Sequence, residues 1–223
     1  MKNEQVYIIQ HETATFLVDA QKGFTPLCPN ELPVPEGDNI VAECLKTFNK
    51  TKLKVASKDA HPQGADWRAT EPSQIAQPIP QQGKQTDLFW PTHCAVGTDG
   101  FELIPGLPEM AEFDYIIYKG AEKAIHVYSA CYQLLKPNSK GDKISTGVIE
   151  FLRAKMIDTV IITGLATNYC CMATAMDLKA AGFDVIMNLG ACRGIGDVAA
   201  SIETMKAAGI KIVDKTEDII VVR

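Results

Sequence analysis

Apolar residues occur along this chain in two alternating patterns. Short β-rich runs, of which DTVIITG at residues 158–164 is the most continuous, are followed by stretches whose apolar positions recur at helical spacing. Runs that are apolar throughout, rather than at every second position, are typical of parallel strands buried on both faces. The pattern predicts strands over residues 13–19, 52–57, 115–118, 158–164, 183–188 and 210–213, and a further one over 219–222. It predicts helices over residues 38–49, 145–154, 168–181 and 197–208.

This order of elements predicts an α/β fold. Alternating strands and helices build a three-layer α/β/α sandwich around a mainly parallel central sheet, here of about six strands. With 223 residues, the chain is expected to form a single domain over residues 1–223.

One long segment breaks the alternation. From residue 59 to about residue 113 neither period holds, and residues 71–84 are rich in proline and glutamine. A loop of this length in a compact domain is usually either functional or disordered. Because it contains two of the four histidines and both tryptophans, we do not expect disorder throughout.

Composition and charge narrow the function classes. Hydrophobic residues make up 46% and charged residues 22%, close to the average for globular proteins, and the net charge is −5. Neither a nucleic acid nor an anionic membrane is expected as a partner, because both are usually bound through a basic patch. No apolar run reaches the roughly 18 residues of a membrane span, and the first residues lack a basic segment followed by an apolar one. A cytoplasmic location is therefore expected.

The cysteines agree with that compartment. There are seven, an odd number, and no CxxC pair occurs, so we expect free thiols in a reducing environment. They are either small core residues throughout, or at least one of them takes part in chemistry.

Polar side chains stand at or shortly after the ends of four predicted strands. They are Asp19, Asp59, Lys119 and Cys170. In an open parallel sheet, ligands bind beyond the carboxyl ends of the strands. An acid, a second acid, a cation and a thiol are therefore expected to meet at one edge.

Cys170 is the candidate nucleophile of this group. It follows the turn GLATNY in the first turn of a predicted helix, where unpaired N–H groups lower the pKa of a thiol and can stabilise an oxyanion. Asp19 can accept its proton, and Lys119 can stabilise the charged pair. The alternative is that Cys170 and Cys171 are both buried helix residues, that the aspartate only stabilises a turn and that the lysine is solvated.

A second group combines Asp59 and His61, in a D-x-H pair, with His93. One carboxylate and two imidazoles suit Zn²⁺, Fe²⁺ or Mn²⁺, and three protein ligands leave coordination positions open, as in catalytic sites. Histidines separated by about thirty loop residues are also often unrelated, so the spacing alone leaves this open. His11 and His126 are expected to be ordinary surface or packing histidines.

Six short segments occur in the order found in one enzyme family. They read FLVDAQKGF at residues 16–24, SKDAHP at 57–62, WPTHCAVG at 90–97, YKG at 118–120, YSA at 128–130 and GLATNYC at 164–170. Together they resemble the nicotinamidases, the metal-dependent amidases of the isochorismatase-like cysteine hydrolase superfamily. Each segment alone is weak evidence for the family, but the occurrence of all six is highly specific for it. The resemblance extends from about residue 12 to residue 213.

This resemblance implies an isochorismatase-like hydrolase fold and roles for individual residues. It implies a catalytic triad of Asp19, Lys119 and Cys170, and a cis peptide at Leu165–Ala166. The segment over residues 59–113 is then a metal- and substrate-binding loop holding one divalent ion, with Zn²⁺ favoured over Fe²⁺ or Mn²⁺. The implied metal ligands are Asp59, His61 and His93, the oxyanion-hole N–H groups are those of Ala166 and Cys170, and the substrate contacts are Phe24, Trp90, Leu165 and Tyr128.

One position and two segments differ from the usual family sequence. Asn168 stands where many members have aspartate, and both residues cap helices well. Residues 62–72 contain no histidine, where some members have a further metal ligand. The sequence GAEKAIHV at residues 120–127 replaces a segment in which an acidic DS pair is common.

By this resemblance, the expected function is hydrolysis of nicotinamide to nicotinate and ammonia through a cysteine thioester, in NAD salvage, with pyrazinamide as a second substrate. One alternative is an N-carbamoyl or ureido amidase of the superfamily, which shares the triad but generally lacks the metal ligands. Others are an isochorismatase, which lacks the nucleophilic cysteine, and a non-catalytic binding protein of the same fold. Self-association into a homo-oligomer is compatible with the sequence.

Overall fold

A six-stranded parallel sheet forms the centre of the computed structural model, which describes residues 7–9, 12–80 and 85–222. The strands in chain order are β1 (Tyr7–Ile9), β2 (Thr13–Val18), β3 (Leu53–Asp59), β4 (Tyr115–Lys119), β5 (Thr159–Leu165), β6 (Asp184–Arg193), β7 (Lys211–Val213) and β8 (Ile219–Val221). The spatial order in the sheet is β4-β3-β2-β5-β6-β7. Strands β1 and β8 pair with each other in a separate two-stranded sheet.

Within the described residues, four α-helices connect the strands: α1 (Val41–Phe48), α2 (Val148–Ala154), α3 (Met172–Ala180) and α4 (Ala199–Ala207). Helix α2 begins after Gly147, whose φ of +86° is outside the helical region, so the predicted start at residue 145 was too early. Helix α3 follows a π-helical turn, Thr167–Cys171, within the predicted helix. In the part of the chain that the structure describes, no helix is both long and apolar enough to span a membrane.

Successive residues of a strand enter different cores. Phe16 and Val18 pack with residues of α2, α3 and α4, whereas Leu17 between them packs with residues of α1. Ile161 and Ile186 join a third cluster with residues of β1 and β8. Helices therefore cover both faces of the sheet, which confirms the predicted three-layer α/β/α sandwich and its mainly parallel six-stranded sheet.

Two strands differ from the sequence prediction. Strand β1 was not predicted, because its three residues are too few to show a period. It pairs with β8, which lies where a strand was predicted. Strand β6 continues to Arg193, beyond the predicted end at residue 188, after a register shift opposite β5. Its second half contains glycine and a charged residue, so it lacks the continuous apolar pattern of the first half.

The order of the strands determines where a ligand can bind. The chain adds β3 and β4 on one side of β2, and β5, β6 and β7 on the other, so the order reverses between β2 and β5. Ligand crevices in such sheets lie beyond the carboxyl ends of the strands at this reversal. Here β5 approaches β2 closely: Gly164 has a φ of +116°, and a Cβ on it would overlap the backbone oxygen of Val18.

Candidate active site

Three charged side chains meet at the carboxyl edge of the sheet. Asp59 and Lys119 are the last residues of β3 and β4 and are partners in register, and Asp19 directly follows β2. The Nζ atom of Lys119 lies 2.5 Å from Oδ1 of Asp59 and 3.0 Å from Oδ2 of Asp19. All three side chains are buried, so two carboxylates share one ammonium group away from solvent.

Cys170 joins this group from the opposite side of β2. It lies in the π-helical turn between β5 and α3, and its Sγ is 3.6 Å from Nζ of Lys119. The thiol and one oxygen each of Asp19 and Asp59 lie within 4.8 Å of one another. The four strand-end residues singled out from the sequence are therefore brought together, and we call Asp19, Asp59, Lys119 and Cys170 the charged network.

Burial controls protonation in the charged network. It raises the pKa of Asp19, and it raises that of Cys170 well above its usual value, although Lys119 opposes both shifts. The expectation of a lowered thiol pKa is wrong for this structure, because the loss of solvent outweighs the neighbouring positive charge. Burial alone would lower the pKa of Lys119, but Asp19 and Asp59 raise it well above its usual value. The lysine therefore stays charged beside a protonated thiol.

Two neighbouring polar residues hold the aspartates in place. The hydroxyl of Ser57 donates a hydrogen bond of 2.7 Å to Oδ1 of Asp19. The amide of Gln21 bonds the backbone of Asp59 on both sides, accepting from its N–H at 2.7 Å and donating to its carbonyl at 2.9 Å. Sequence reasoning missed both, although Ser57 lies two positions before Asp59 on β3, the spacing that places side chains on one face of a strand.

Three histidines form a second buried group, which we call the histidine cluster: His61, His93 and His126. Their ring centroids are 4.9, 5.3 and 5.8 Å apart, and one nitrogen from each lies within 4.8 Å of those of the others. His61 and His93 were expected to lie together. His126, expected to be a surface or packing histidine outside this cluster, is 3% exposed and lies among the other two rings, so it is not a surface residue and it belongs to the cluster. His11 lies outside the described residues.

One signal in the sequence could have found His126. It stands two positions before Tyr128, which was expected to contact the substrate. In an extended segment, this spacing places two side chains on the same side. The two rings do lie together, with centroids 5.0 Å apart.

The histidine cluster has free nitrogens that fit a divalent metal ion. Nδ1 of His61 lies 3.1 Å from the carbonyl oxygen of Gly120, and Nδ1 of His93 lies 2.7 Å from that of Pro91. A carbonyl only accepts hydrogen bonds, so each Nδ1 carries the proton and each Nε2 keeps its lone pair. The buried Nε2 of His61 has no hydrogen-bond partner and lies 3.4 Å from Oδ2 of Asp59. A metal ion would satisfy this nitrogen and that carboxylate together.

The protonation of these rings also suits metal binding. Burial lowers the pKa of His93 to about 3 and that of His126 well below its usual value, and the neighbouring His61 lowers both further. Neutral imidazoles are the form that coordinates metal ions. For Asp59, burial alone would raise the pKa, but Lys119 and His61 hold it below its usual value, so this carboxylate stays ionised.

A cavity connects the thiol to the histidine cluster. Phe24, Trp90 and Tyr128, three residues expected to contact a substrate, line it. The hydroxyl of Tyr128 accepts a hydrogen bond from Nε1 of Trp90 at 3.1 Å and donates one to Asp87 at 2.8 Å. Leu165 is fully buried and is not among the lining residues, so its contact with a substrate stays a prediction. The other lining residues are Leu32, Asp59, His93, His126, Ala166, Tyr169, Cys170 and Ile195.

The turn after β5 carries the thiol to this cavity. The Leu165–Ala166 peptide is cis, as the resemblance implies, and the carbonyl of Ala166 accepts hydrogen bonds from the N–H groups of Tyr169 and Cys171 at 3.1 and 3.2 Å. Asn168 does not cap a helix as expected. Its amide group instead bonds the N–H and the carbonyl of Ile195, at 3.0 and 2.8 Å, and so fixes one wall of the cavity.

The long loop contributes Asp59, Trp90 and His93 to the wall of the cavity. Residues 76–79 pair with residues 87–89 through backbone hydrogen bonds of 2.7 to 3.0 Å, so the glutamine- and proline-rich segment, described as far as residue 80, is part of a hairpin. Asp87 on the second arm of this hairpin and Trp90 just after that arm hold the hydroxyl of Tyr128. His61 and His93 come from either side of it along the chain.

Comparison with known proteins identifies the class of the chain. Residues 13–217 match the family described as the isochorismatase domain, and the chain belongs to this family. A nicotinamidase of Escherichia coli (strain K12) is 31% identical over 210 residues, which cover 88% of this chain and 92% of that protein.

Solved structures give the same picture. A nicotinamidase and pyrazinamidase of Acinetobacter baumanii superposes with a TM-score of 0.80 at 29% identity, covering 93% of this chain and 98% of that one. A pyrazinamidase of Pyrococcus horikoshii, solved in complex with zinc, superposes with a TM-score of 0.67 at 33% identity, covering 91% of this chain and 98% of that one.

Proposed function

We propose that this chain is a nicotinamidase, which hydrolyses nicotinamide to nicotinate and ammonia. The observation that carries the proposal is a single aromatic cavity with a buried thiol, carboxylate and ammonium group on one side and a metal-capable histidine cluster on the other. The similarity to nicotinamidases over most of both chains supports it.

Cys170 is the nucleophile in this proposal. Its proton passes to Asp19, whose raised pKa makes it a stronger base than an exposed aspartate. Lys119, 3.6 Å from the sulfur, offsets the negative charge of the thiolate. The thiolate attacks the carboxamide carbon, and we assign the backbone N–H groups of Ala166 and Cys170 to the resulting oxyanion. Each such donor contributes about 3–4 kcal/mol in related hydrolases.

Collapse of this intermediate breaks the carbon–nitrogen bond. Protonated Asp19 returns its proton to the departing nitrogen, which leaves as ammonia, and a thioester remains on Cys170. A water molecule then gives a proton to the same carboxylate and attacks the thioester carbon. Nicotinate is released and the thiol is restored, so one water is consumed for each ammonia formed.

The other side of the cavity holds the substrate ring. Phe24, Trp90 and Tyr128 provide aromatic surfaces for a pyridine ring. We propose that Asp59, His61 and His93 hold one divalent ion, which when bound supplies a Lewis acid for the ring nitrogen. Zinc is favoured over Fe²⁺ or Mn²⁺, because imidazole-rich sites suit it and the Pyrococcus horikoshii relative was solved in complex with it.

Further parts of the proposal concern substrate range and setting. Pyrazinamide presents a carboxamide on a similar ring and is expected to be hydrolysed too. The nicotinate produced would enter NAD salvage. A cytoplasmic location, a single domain and self-association stay predictions from the sequence.

Ammonia release tests the function directly. The full zinc-loaded chain is assayed with nicotinamide, pyrazinamide, an N-carbamoyl amino acid and a ureido acid, with and without a chelator. We expect turnover of the two aromatic carboxamides only, and its loss on chelation. Preference for the carbamoyl or ureido compound would instead identify another amidase of the superfamily. Acid quenching during turnover, followed by mass spectrometry of the peptide containing Cys170, tests for the nicotinoyl thioester.

A further inference from the structure

His126 is a buried histidine whose ring has no hydrogen-bond partner. It is 3% exposed, and neither Nδ1 nor Nε2 forms a hydrogen bond. A neutral imidazole has one donor and one acceptor, and leaving either of them unpaired in the interior is unfavourable. Among the described residues, the other buried side-chain atoms without a hydrogen bond are Nε2 of His61 and Oδ2 of Asp19, and the latter forms an ion pair with Lys119 at 3.0 Å.

The backbone around His126 keeps the ring in this place. The indole N–H of Trp67 donates a hydrogen bond of 3.1 Å to the carbonyl of Ile125, and the N–H of His126 donates one of 2.8 Å to the carbonyl of Gln85. The indole ring also contacts the imidazole, with centroids 4.5 Å apart. The segment is therefore held from two sides, with the imidazole inside the protein.

The unpaired ring lies among the proposed metal ligands. Its centroid is 5.3 Å from that of His61 and 5.8 Å from that of His93, and one nitrogen of each ring lies within 4.8 Å of those of the others. His61 and His93 each use Nδ1 for a carbonyl, and Nε2 of His61 has no partner, whereas His126 has no partner at either nitrogen. Coordination would give the third ring the partner that the protein itself does not offer.

We infer that His126 is a further protein ligand of the divalent metal ion, beside Asp59, His61 and His93. The inference rests on the metal-dependent function proposed above. This ligand lies outside the loop over residues 59–113, which contains the other three. A set of three imidazoles and one carboxylate favours zinc over manganese more strongly than two imidazoles do.

X-ray absorption at the zinc K-edge tests the inference, because the scattering of imidazole rings allows them to be counted. The full chain is loaded with one equivalent of zinc in the absence of substrate. We expect three imidazole ligands in the unmodified chain and two in His126→Ala. Zinc affinity, measured by competition with a chromophoric chelator, should fall at least about 10-fold in that variant. Tyr128→Phe removes a hydroxyl from a ring beside His126 without removing a ligand, so it should keep three imidazoles and unchanged affinity.

The count separates this inference from the proposed function. Two imidazoles in the unmodified chain would overturn the inference, whether or not the chain hydrolyses nicotinamide. This measurement needs only the unmodified chain, so it can be made even if His126→Ala does not fold. An unchanged count in a folded His126→Ala chain would overturn it as well. Three imidazoles in a chain that releases no ammonia from nicotinamide would contradict the proposed function but support the ligand assignment.

Discussion

The two buried polar groups at the carboxyl edge of the sheet are satisfied in opposite ways. In the charged network, opposite charges meet within the chain, since Nζ of Lys119 contacts two carboxylates and the thiol. In the histidine cluster, the rings of His93 and His126 are neutral, and buried nitrogens lack partners. The first group has what it needs to move protons and stabilise charge, whereas the second leaves buried nitrogens that a metal ion would satisfy.

Asp59 belongs to both groups and connects them. Its Oδ1 contacts Lys119, and its Oδ2 lies 3.4 Å from Nε2 of His61. A cation bound at the histidine cluster would share this carboxylate with the lysine. The two groups can still be perturbed separately, because Cys170 belongs only to the charged network and His93 and His126 belong only to the histidine cluster.

The largest effect is expected in the charged network, on replacing the thiol. Cys170→Ala leaves the cavity and the histidine cluster in place but removes the only group proposed to attack the substrate. We expect kcat for ammonia release from nicotinamide to fall at least about 10³-fold. Zinc binding should be unchanged. Turnover within a factor of ten of the unmodified chain would contradict a covalent mechanism on this thiol.

Removing the shared cation should affect stability as well as activity. Lys119→Met leaves Asp19 and Asp59 buried without a positive partner, which costs about 3–5 kcal/mol in the free energy of unfolding. Urea denaturation of metal-free protein measures this loss. The control is Lys123→Met, an exposed lysine in the loop that follows β4, which should change stability by less than about 0.5 kcal/mol. Equal effects of the two substitutions would mean that the charged network contributes nothing to stability.

The charged network could be predicted from the sequence, and the histidine cluster only in part. Each member of the network stands at or near the end of an apolar strand, and parallel strands bring their carboxyl ends together whatever the details of packing. His126 lies in an irregular segment, and only the packing of Trp67 and the hairpin of the long loop bring it to His61 and His93. No local pattern records such a contact.

The pKa of the thiol and the pairing of Asn168 were missed for a related reason. A thiol in the first turn of a helix is expected to have a lowered pKa. The actual shift depends on how far the fold buries the thiol, and for Cys170 the effect of burial is the largest. Asn168 was expected to cap a helix, yet its amide group meets Ile195, which lies 27 residues further along the chain. The pairing of β1 with β8 is likewise a contact between distant segments.

Metal removal tests the histidine cluster while leaving the charged network intact. Dialysis against a chelator should abolish ammonia release, and Zn²⁺ should restore it. At a free zinc concentration of about 100 times Kd, the bound ion should add about 2.7 kcal/mol to the free energy of unfolding. Cys170→Ala should gain the same stabilisation, because the thiol is not a proposed ligand. Activity that resists chelation would count against the proposed ligands.

A smaller change concerns the pH dependence of the charged network. Ser57 donates a hydrogen bond to ionised Asp19 and so lowers its pKa against the larger effect of burial. In Ser57→Ala this support is lost, and the pKa of Asp19 rises. Because the base must be unprotonated, the acidic limb of kcat/KM should move to higher pH, by about one pH unit. Ser73→Ala, in the exposed part of the loop, provides the control. A shift to lower pH would contradict the role of Asp19 as the base.

The smallest effect is expected at the neighbouring thiol. Cys171 is fully buried in the core formed with α2, α3 and α4, and burial raises its pKa well above the usual value. It is also absent from the residues that line the cavity. Cys171→Val replaces a small buried side chain by a slightly larger apolar one, so stability should change by less than about 2 kcal/mol and kcat by only a few-fold. Together with Cys170→Ala, this variant shows which of the two adjacent thiols is needed for activity. Loss of activity in Cys171→Val with an unchanged free energy of unfolding would mean that the nucleophile is Cys171.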